Sequence, residues 1–272
     1  MQYDPDFICL QEFDPLYRNA ADGLIGQLSA QYTEVEIDGM TTADAKNKIY
    51  NPIFYDHSKY TQEASGYVWF KEEDDLKYLS YEPNKKDSEG NVIENTYARS
   101  LVWAVLKDAE GDLFLVANTH FTMKQDITLE EKATIHTEEA TFVANKLKDI
   151  AKGYEEDIND GYQDITVLVG GDMNSNVNNN PDCGVDTMLD NGFTHTYTMT
   201  ANRNNSATST NSRDGFDTGY LDYAIDHILT LNEDLNVRSF FVLTEMDRKV
   251  TGPNGTETRI SDHLPVRMTF YK

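Results

Sequence analysis

Cysteine and basic residues are scarce in this chain of 272 residues. It has 2 cysteines, Cys9 and Cys183, so a disulfide framework is excluded and two free thiols are expected. Its 23 Lys and Arg residues stand against 47 Asp and Glu residues, which gives a formal net charge of -24. A field this negative repels polyanions, and binding to nucleic acid depends largely on Lys and Arg that neutralise phosphates. A dedicated nucleic-acid-binding protein is therefore disfavoured.

Long apolar runs are also missing, although apolar residues are not scarce. No run approaches the ~18 uninterrupted apolar residues of a membrane span, so no span is expected. Hydrophobic residues make up 39% and aromatic residues 11% of the chain, which suffices for a sizeable core. No Gly/Ser/Pro-rich stretch and no change in composition marks a boundary between domains. We therefore expect one globular domain over residues 1–272, and a monomer.

Short apolar runs alternate with polar segments along the chain and predict many β-strands. The predicted strands are residues 7–10, 53–55, 67–70, 100–106, 113–118, 165–169, 224–229, 238–243 and 266–270. Residues 100–106 and 113–118 are joined by a short segment that ends in Gly111, which predicts an antiparallel hairpin.

One long helix is predicted after the hairpin. Thr128 and Glu131, three residues apart, form a capping-box pattern, and Gly153 provides a stop signal. Between these signals, one face of the helix carries Ala140, Val143, Leu147 and Ile150. Many strands, few helices and no Gly-rich dinucleotide-binding fingerprint predict an α/β (α+β) architecture, with two sheets packed together and helices outside.

Polar side chains stand at the ends of the predicted strands, which is where α/β enzymes assemble their sites. They are Glu12, Asn118, His120, Asp172, Asn174, Asp262 and His263. Taken singly, each has a structural explanation, since Asx residues after glycines form turns, carboxylates favour helix starts and histidines pack in cores. Their joint occurrence indicates a functional site.

Five motifs occur in an order that resembles the endonuclease/exonuclease/phosphatase superfamily. They are Gln11-Glu12, Asn118-Thr119-His120, Gly171-Asp172-Met173-Asn174, Ile225-Asp226-His227 and Ser261-Asp262-His263-Leu264-Pro265-Val266. The resemblance extends over residues 4–270 and includes the phrase Asn51-Pro52-Ile53-Phe54-Tyr55. It implies a deoxyribonuclease I-like fold, a four-layer sandwich of two mixed β-sheets packed face to face with helices outside.

The resemblance also implies a metal-dependent phosphoester hydrolase that uses Mg²⁺ or Mn²⁺. Glu12 matches the principal metal ligand of the family, which agrees with the preference of hard cations for oxygen ligands. Asp262 matches a residue that binds the metal or its waters. A metal at this position would offset charge that develops on the phosphoryl oxygens.

Four residues match the family's catalytic groups. Asp172 matches the residue that orients or deprotonates the attacking water, and Asn174 matches its partner, which holds nucleophile and phosphate in place. His263 matches the histidine that bonds a phosphoryl oxygen, and Asp226 matches the carboxylate that fixes its tautomer. The pairing is physically sensible because a neighbouring carboxylate raises the pKa of a histidine.

Three further residues match positions around the substrate. The resemblance implies that Asn118 and His120 contact the substrate or the transition state. Arg99 is at a recurrent basic position of the family, where its planar guanidinium would clamp a phosphate. An ion pair with an acidic residue at the surface is an equally good interpretation of Arg99.

Two features depart from the family pattern. His227 stands where the family more often has Tyr, which affects the packing beside Asp226. The family's first strand, with an Asn that binds the metal from the far side of Glu12, has no counterpart before Asp4. We therefore expect the domain to lack its first strand and helix, and the sheet to have a vacant position beside residues 7–10.

Three functions remain open from the sequence. The first is a phosphodiesterase or phosphatase that acts on a small-molecule or lipid-linked phosphoester. The second is a nuclease of the same fold, which requires a basic groove, and the loop at residues 201–213 offers Arg203 and Arg213 for it. The third is a catalytically inactive binding module, which the missing Asn favours and the retained catalytic residues oppose. Specificity is expected in the loops at residues 71–95 and 198–219.

Overall fold

The computed structural model contains the strands and the long helix that the sequence predicts. The described residues are 3–13, 26, 28–37, 51–70, 99–123, 128–155, 164–177, 184–209, 219–244, 249–251, 257–259 and 261–271. All nine predicted strands are confirmed, with ends that differ by a few residues in most cases. The loop predicted to carry specificity at residues 71–95 lies outside the described residues.

The largest sheet has six strands in the order β4-β5-β6-β7-β9-β8. Its strands are β4 (Tyr60–Trp69), β5 (Ser100–Asp108), β6 (Leu113–His120), β7 (Ile165–Asp172), β8 (Thr194–His195) and β9 (Asp226–Thr230). The hairpin of β5 and β6 is antiparallel, as predicted, and β6 pairs with β7 in parallel. The sheet is therefore mixed. Strands β5, β6 and β7 read as nearly continuous apolar runs because both faces of the sheet are covered.

Three smaller sheets are antiparallel. The first has the order β1-β3-β2, and the other two are the pairs β10-β13 and β11-β12. Their strands are β1 (Phe7–Cys9), β2 (Tyr32–Glu34), β3 (Ile53–Asp56), β10 (Asn236–Val242), β11 (Lys249–Thr251), β12 (Glu257–Arg259) and β13 (Val266–Tyr271). Within the described ranges, β1 pairs with β3 alone and β13 pairs with β10 alone.

The long helix α1 (Leu129–Lys152) has the predicted bounds. Thr128 is its N-cap, and both hydrogen bonds of the capping box with Glu131 are present. Gly153 is the C-cap. The helix supplies the crossover that a parallel β6-β7 pair requires. Two shorter helices follow, α2 (Gly184–Asp190) and α3 (Tyr220–Tyr223), with a 3-10 helix at Thr196–Met199.

Apolar side chains fill both faces of the six-stranded sheet. On one face, α1 and α2 pack on the sheet through residues such as Val143, Leu147 and Val185. On the other face, residues of β3, such as Ile53, pack against Val102 of β5 and Val116 of β6. The two sheets therefore lie face to face with helices on one outer side, as predicted. No described helix is long and apolar enough to cross a membrane.

Several elements escape sequence-based prediction. Strands β2 and β8 have 3 and 2 residues, and α2 has 7, which is too short for a periodic pattern. Strand β4 begins seven residues earlier than predicted because its first half, Tyr60 to Ser65, is polar. Its Gly66 admits the indole of Trp103, since a Cβ there would lie 2.6 Å from that ring. Cys9 is a free thiol, and Cys183 lies outside the described residues.

Candidate active site

Three strands bring polar residues together at one edge of the six-stranded sheet. Strands β6 and β7 end there and β9 begins there, so that His120 pairs with Asp172 and Asp172 pairs with Asp226. Gly171 permits the close approach of β6 and β7, because a Cβ at this position would lie 1.9 Å from the carbonyl oxygen of Thr119. Three residues that are distant in sequence therefore form one row across neighbouring strands.

His263 joins one end of this row. Its Nδ1 lies 2.8 Å from Oδ2 of Asp226. The segment before β13 is held in place by backbone pairing, since the amide of Leu264 donates to the carbonyl of Thr208 over 2.8 Å. Burial lowers the pKa of His263, but the hydrogen bond to Asp226 and the charges of Asp226, Asp172 and Asp262 raise it to about 9. His263 is therefore an imidazolium at neutral pH.

Asp172 lies at the centre of the row and is buried. Its Oδ2 lies 3.3 Å from Nε2 of His120, and its Oδ1 accepts a hydrogen bond from the amide of Asn174 over 2.9 Å. Burial raises the pKa of Asp172, but the hydrogen bonds from His120 and Asn174 and the charge of His263 hold it below the ordinary value. Asp172 is therefore a carboxylate at neutral pH.

Asn174 occupies the turn after β7. Its φ of 46° is in the left-handed region, which Asn tolerates better than most residues. Its Nδ2 donates to the carbonyl of Phe121 over 3.0 Å, so the turn is tied to the end of β6. The sequence predicts Asp172 and Asn174 as a pair, and the structure brings them together in this turn.

Arg99 lies beside the other end of the row. It is 7% exposed, and its Nη1 lies 2.8 Å from Nδ1 of His120 and 3.9 Å from Oε1 of Glu12. The Glu12 side chain is 53% exposed. Arg99 does pair with an acidic residue, as one of the two interpretations from sequence expects, but its guanidinium is buried and also bonded to a histidine.

Asn118 has no exposed surface. Its Nδ2 donates to the carbonyls of Leu10, Asn51 and Pro52, and its Oδ1 accepts from Nε2 of Gln11 over 2.7 Å. All of these contacts are internal, so Asn118 anchors the segment that carries Glu12 to β6. The predicted contact with substrate does not fit this burial.

A divalent metal fits the oxygen donors at this edge. The carboxylates of Glu12 and Asp262 are exposed, and Mg²⁺ and Mn²⁺ prefer such oxygen ligands. Ligand atoms of Asp172, Asp226 and His263 also lie within 4.8 Å of one another. His263 uses its Nδ1 on Asp226, so the oxygen donors that this group offers are the carboxylates of Asp172 and Asp226.

Some residues around the site carry no signal that sequence analysis could use. Oγ1 of Thr208 accepts hydrogen bonds from the amides of Ile225 and Asp226, at 3.1 and 3.2 Å. Thr208 belongs to a polar loop without periodicity, so neither its contact nor its position beside β9 can be read from the sequence. Glu139 of α1 is buried below the end of β6, where it accepts hydrogen bonds from the amide and hydroxyl of Thr122.

Comparisons by sequence find no match, since neither a family model nor a curated protein matches the chain. Comparison of the structure finds similar solved structures over nearly the whole chain. The chain has the endonuclease/exonuclease/phosphatase fold. A mannosyl-6-phosphatase of Bacteroides thetaiotaomicron is 19% identical with a TM-score of 0.65, and the match covers 100% of this chain and 87% of that one.

Two further structures of this fold show the same extent of similarity. An endonuclease/exonuclease/phosphatase protein of Bacteroides vulgatus is 21% identical with a TM-score of 0.63, over 99% of this chain and 87% of that one. TDP2 of D. rerio, complexed with a single-strand DNA product, is 15% identical with a TM-score of 0.62, and the match covers 100% of this chain and 88% of that one. The resemblance that the sequence motifs indicate is thereby confirmed for the fold.

Proposed function

We propose that this protein hydrolyses phosphoester bonds with the help of a divalent metal ion. The observation that carries this proposal is the row His120, Asp172, Asp226 and His263, which combines a buried carboxylate with a charged imidazolium at one edge of the sheet. A base and an anion-binding cation side by side are what attack of water on a phosphate requires.

Each residue then has a role that its surroundings support. Asp172 orients the attacking water and accepts its proton, because the carboxylate is ionised and its position is held by two hydrogen bonds. Asn174 sits beside it to hold nucleophile and phosphate. His263 bonds a phosphoryl oxygen, and Asp226 keeps its imidazolium oriented.

Glu12 and Asp262 are the residues that would hold Mg²⁺ or Mn²⁺. When bound, the metal would offset the negative charge that develops on the phosphoryl oxygens. The exposure of both carboxylates supports this assignment, as does the charge of Asp262 beside His263.

The substrate class that we favour is a small-molecule or lipid-linked phosphoester. The net charge of -24 disfavours a polyanion, and one similar structure is a mannosyl-6-phosphatase. A nuclease is the second candidate, because another similar structure holds a DNA product. Of the two arginines proposed for a basic groove, Arg203 lies over the ring of Tyr197 at 4.2 Å and also bonds the carbonyl of that residue. Arg213 lies outside the described residues.

The test is an assay of a panel of phosphomonoesters, phosphodiesters, sphingomyelin and DNA, each with and without Mg²⁺. We expect metal-dependent release of phosphate or of a phosphorylated product from at least one non-nucleic substrate. Asp172→Asn should lower kcat on that substrate by on the order of 10² or more, because it removes the base. Asp190→Asn, at the exposed end of α2, is the matched control and should retain wild-type turnover. Wild-type turnover of Asp172→Asn would refute the mechanism.

Glu12→Gln tests the metal assignment. Because it removes the carboxylate charge, we expect it to weaken Mg²⁺ binding more than Asp190→Asn or Asp262→Asn does. Calorimetric titration with Mg²⁺ measures each affinity. An unchanged affinity in Glu12→Gln would move the metal to Asp172 or Asp262.

A further inference from the structure

Arg99, His120 and Asp172 form a chain of contacts at the end of β6. Nη1 of Arg99 lies 2.8 Å from Nδ1 of His120. On the other side of the ring, Nε2 lies 3.3 Å from Oδ2 of Asp172. We propose that Arg99 is a positioning residue, which fixes His120 as the neutral tautomer with its proton on Nε2 and so makes His120 a hydrogen-bond donor to Asp172.

The direction of these bonds follows from donor chemistry. A guanidinium has five N–H donors and no acceptor, so the Nδ1 atom that faces Arg99 must be the acceptor and carries no proton. A neutral imidazole then has its proton on Nε2, which faces an ionised carboxylate. An N–H on Nδ1 would point at a guanidinium N–H, so the geometry favours Nδ1 as the acceptor.

Burial makes this arrangement persistent. Arg99, His120 and Asp172 are 7%, 4% and 7% exposed, so water has little access to exchange partners with them. Strand β5 begins next to Arg99 and pairs antiparallel with β6, whose last residue is His120. The sheet register therefore sets the position of the guanidinium against the ring.

The two histidines of the row consequently use different nitrogens on their carboxylates and have different tasks. His263 uses its Nδ1 on Asp226 and carries a positive charge, whereas His120 uses Nε2 on Asp172 and is neutral. Since both nitrogens of His120 are occupied, this histidine does not reach the substrate. It orients Oδ2 of Asp172 while the amide of Asn174 holds Oδ1. Only this catalytic consequence rests on the proposed function, whereas the tautomer itself does not.

Nitrogen NMR of the protein labelled with ¹⁵N in histidine tests the proposal at neutral pH without any substrate. The chain has 6 histidines, and the signals of His120 are those that disappear in His120→Asn. We expect Nδ1 of His120 to have the shift of an unprotonated acceptor nitrogen and Nε2 that of an N–H. A protonated Nδ1 in the wild-type protein would overturn the proposal, whatever its variants do.

Two substitutions test the part played by Arg99. Arg99→Met keeps the length of the side chain but removes the donor, so the His120 signals should shift towards a protonated Nδ1. Arg99→Lys keeps a donor and should retain the wild-type pattern. The signals of His195 and His227, which bond each other over 2.9 Å, should be unchanged in both variants and report an intact fold. An unchanged His120 spectrum in Arg99→Met would refute the role of Arg99.

Turnover of the same variants connects the tautomer to catalysis. On a substrate found with the assay panel, we expect Arg99→Met to lower kcat on the order of tenfold, with a smaller change in KM, and Arg99→Lys to recover part of the loss. A direct phosphate clamp would instead raise KM and leave the His120 tautomer unchanged. If no phosphoester is hydrolysed while the tautomer is as expected, the proposed function fails and the positioning of His120 stands.

Discussion

Glu12 has a backbone conformation that few residue types adopt. Its φ is 51°, in the left-handed region where Gly, Asn and Asp are preferred and most other side chains are strained. Strain of this kind costs on the order of 1 kcal/mol and is characteristic of functional sites. The strained geometry therefore accords with the metal-binding role that we propose for Glu12.

Replacement of Glu12 by Asn should separate stability from function. Because Asn tolerates a positive φ, we expect Glu12→Asn to raise the free energy of unfolding by up to about 1 kcal/mol. The same change removes a carboxylate and should weaken Mg²⁺ binding. Urea denaturation and calorimetry measure the two effects. A stability equal to that of the wild type or lower would show that the conformation of Glu12 is not strained.

At the scale of elements, α1 is coupled to the end of β6 through a buried acid. Glu139 on α1 accepts hydrogen bonds from Thr122, and Nε2 of His136 on the same helix lies 2.7 Å from the carbonyl oxygen of Thr122. Burial raises the pKa of Glu139 to about 7, although the hydrogen bonds from Thr122 and the charge of Arg99 lower it. Burial therefore favours the protonated acid at this contact between helix and sheet.

Stability should consequently fall as the pH rises through the range in which Glu139 titrates. The ordinary pKa of 4.5 describes the unfolded chain, and the folded protein has a value of about 7. Between these two pH values the folded state retains a proton that the unfolded state has lost. The stabilisation that protonated Glu139 contributes is therefore lost progressively from about pH 4.5 to 7. The full loss amounts to roughly 3 kcal/mol.

Glu139→Gln tests this prediction. The variant has no titrating group at this position. Its free energy of unfolding, relative to that of the wild type, should therefore increase by roughly 3 kcal/mol between pH 5 and pH 8. Urea denaturation across this range measures the difference. Glu130→Gln, at an exposed position of the same helix, is the control and should follow the wild-type curve. Parallel curves for Glu139→Gln and wild type would contradict the prediction.

A second pair of elements, β8 and β9, is joined by a chain of neutral histidines. Nδ1 of His195 accepts from the amide of Tyr197, so Nε2 of His195 donates to Nδ1 of His227, whose Nε2 donates to the carbonyl of Ser175. Burial lowers the pKa of His195 well below the ordinary value, and it lowers that of His227 to about 4, against the opposing effects of Ser175 and Asp172.

Acid should therefore destabilise this part of the sheet. The unfolded histidines take up protons near pH 6.5, whereas the folded His227 resists protonation until about pH 4. The stabilisation that comes from the neutral, buried His227 is present above pH 6.5 and is lost as the pH falls towards 4. His227→Gln keeps a donor for Ser175 but does not titrate, so its unfolding free energy should depend less on pH in this window. His57→Gln, at an exposed position, should show the wild-type dependence.

At the scale of the whole molecule, the net charge of -24 governs encounters with polyanions. Few basic side chains are available to neutralise phosphates, and each phosphate contact is weakened by salt. We expect DNA binding in the absence of divalent metal to be weak and to vanish near 0.15 M salt. Fluorescence anisotropy with a labelled duplex and a labelled single strand measures it. Tight binding at this ionic strength would favour the nuclease over the phosphoesterase of small substrates.

Local structure and the residue types of the candidate site can be read from short stretches of the sequence. Apolar runs predict strands such as β5, β6 and β7 because these strands are covered on both faces, and the capping box predicts α1 because Thr128 and Glu131 bond each other within one turn. Asp172, Asn174, Asp226 and His263 can be proposed as site residues from the sequence because their motifs are short and contiguous.

Only the tertiary structure decided which atoms these residues contact. Arg99 and His120 are 21 residues apart, and whether a guanidinium meets a phosphate or an imidazole depends on the register of β5 against β6. Asn118 was predicted to face the substrate, yet the approach of residues 10–11 and 51–52 buries it. Local periodicity reports which faces are covered, whereas the partners of a buried polar group depend on segments that are distant along the chain.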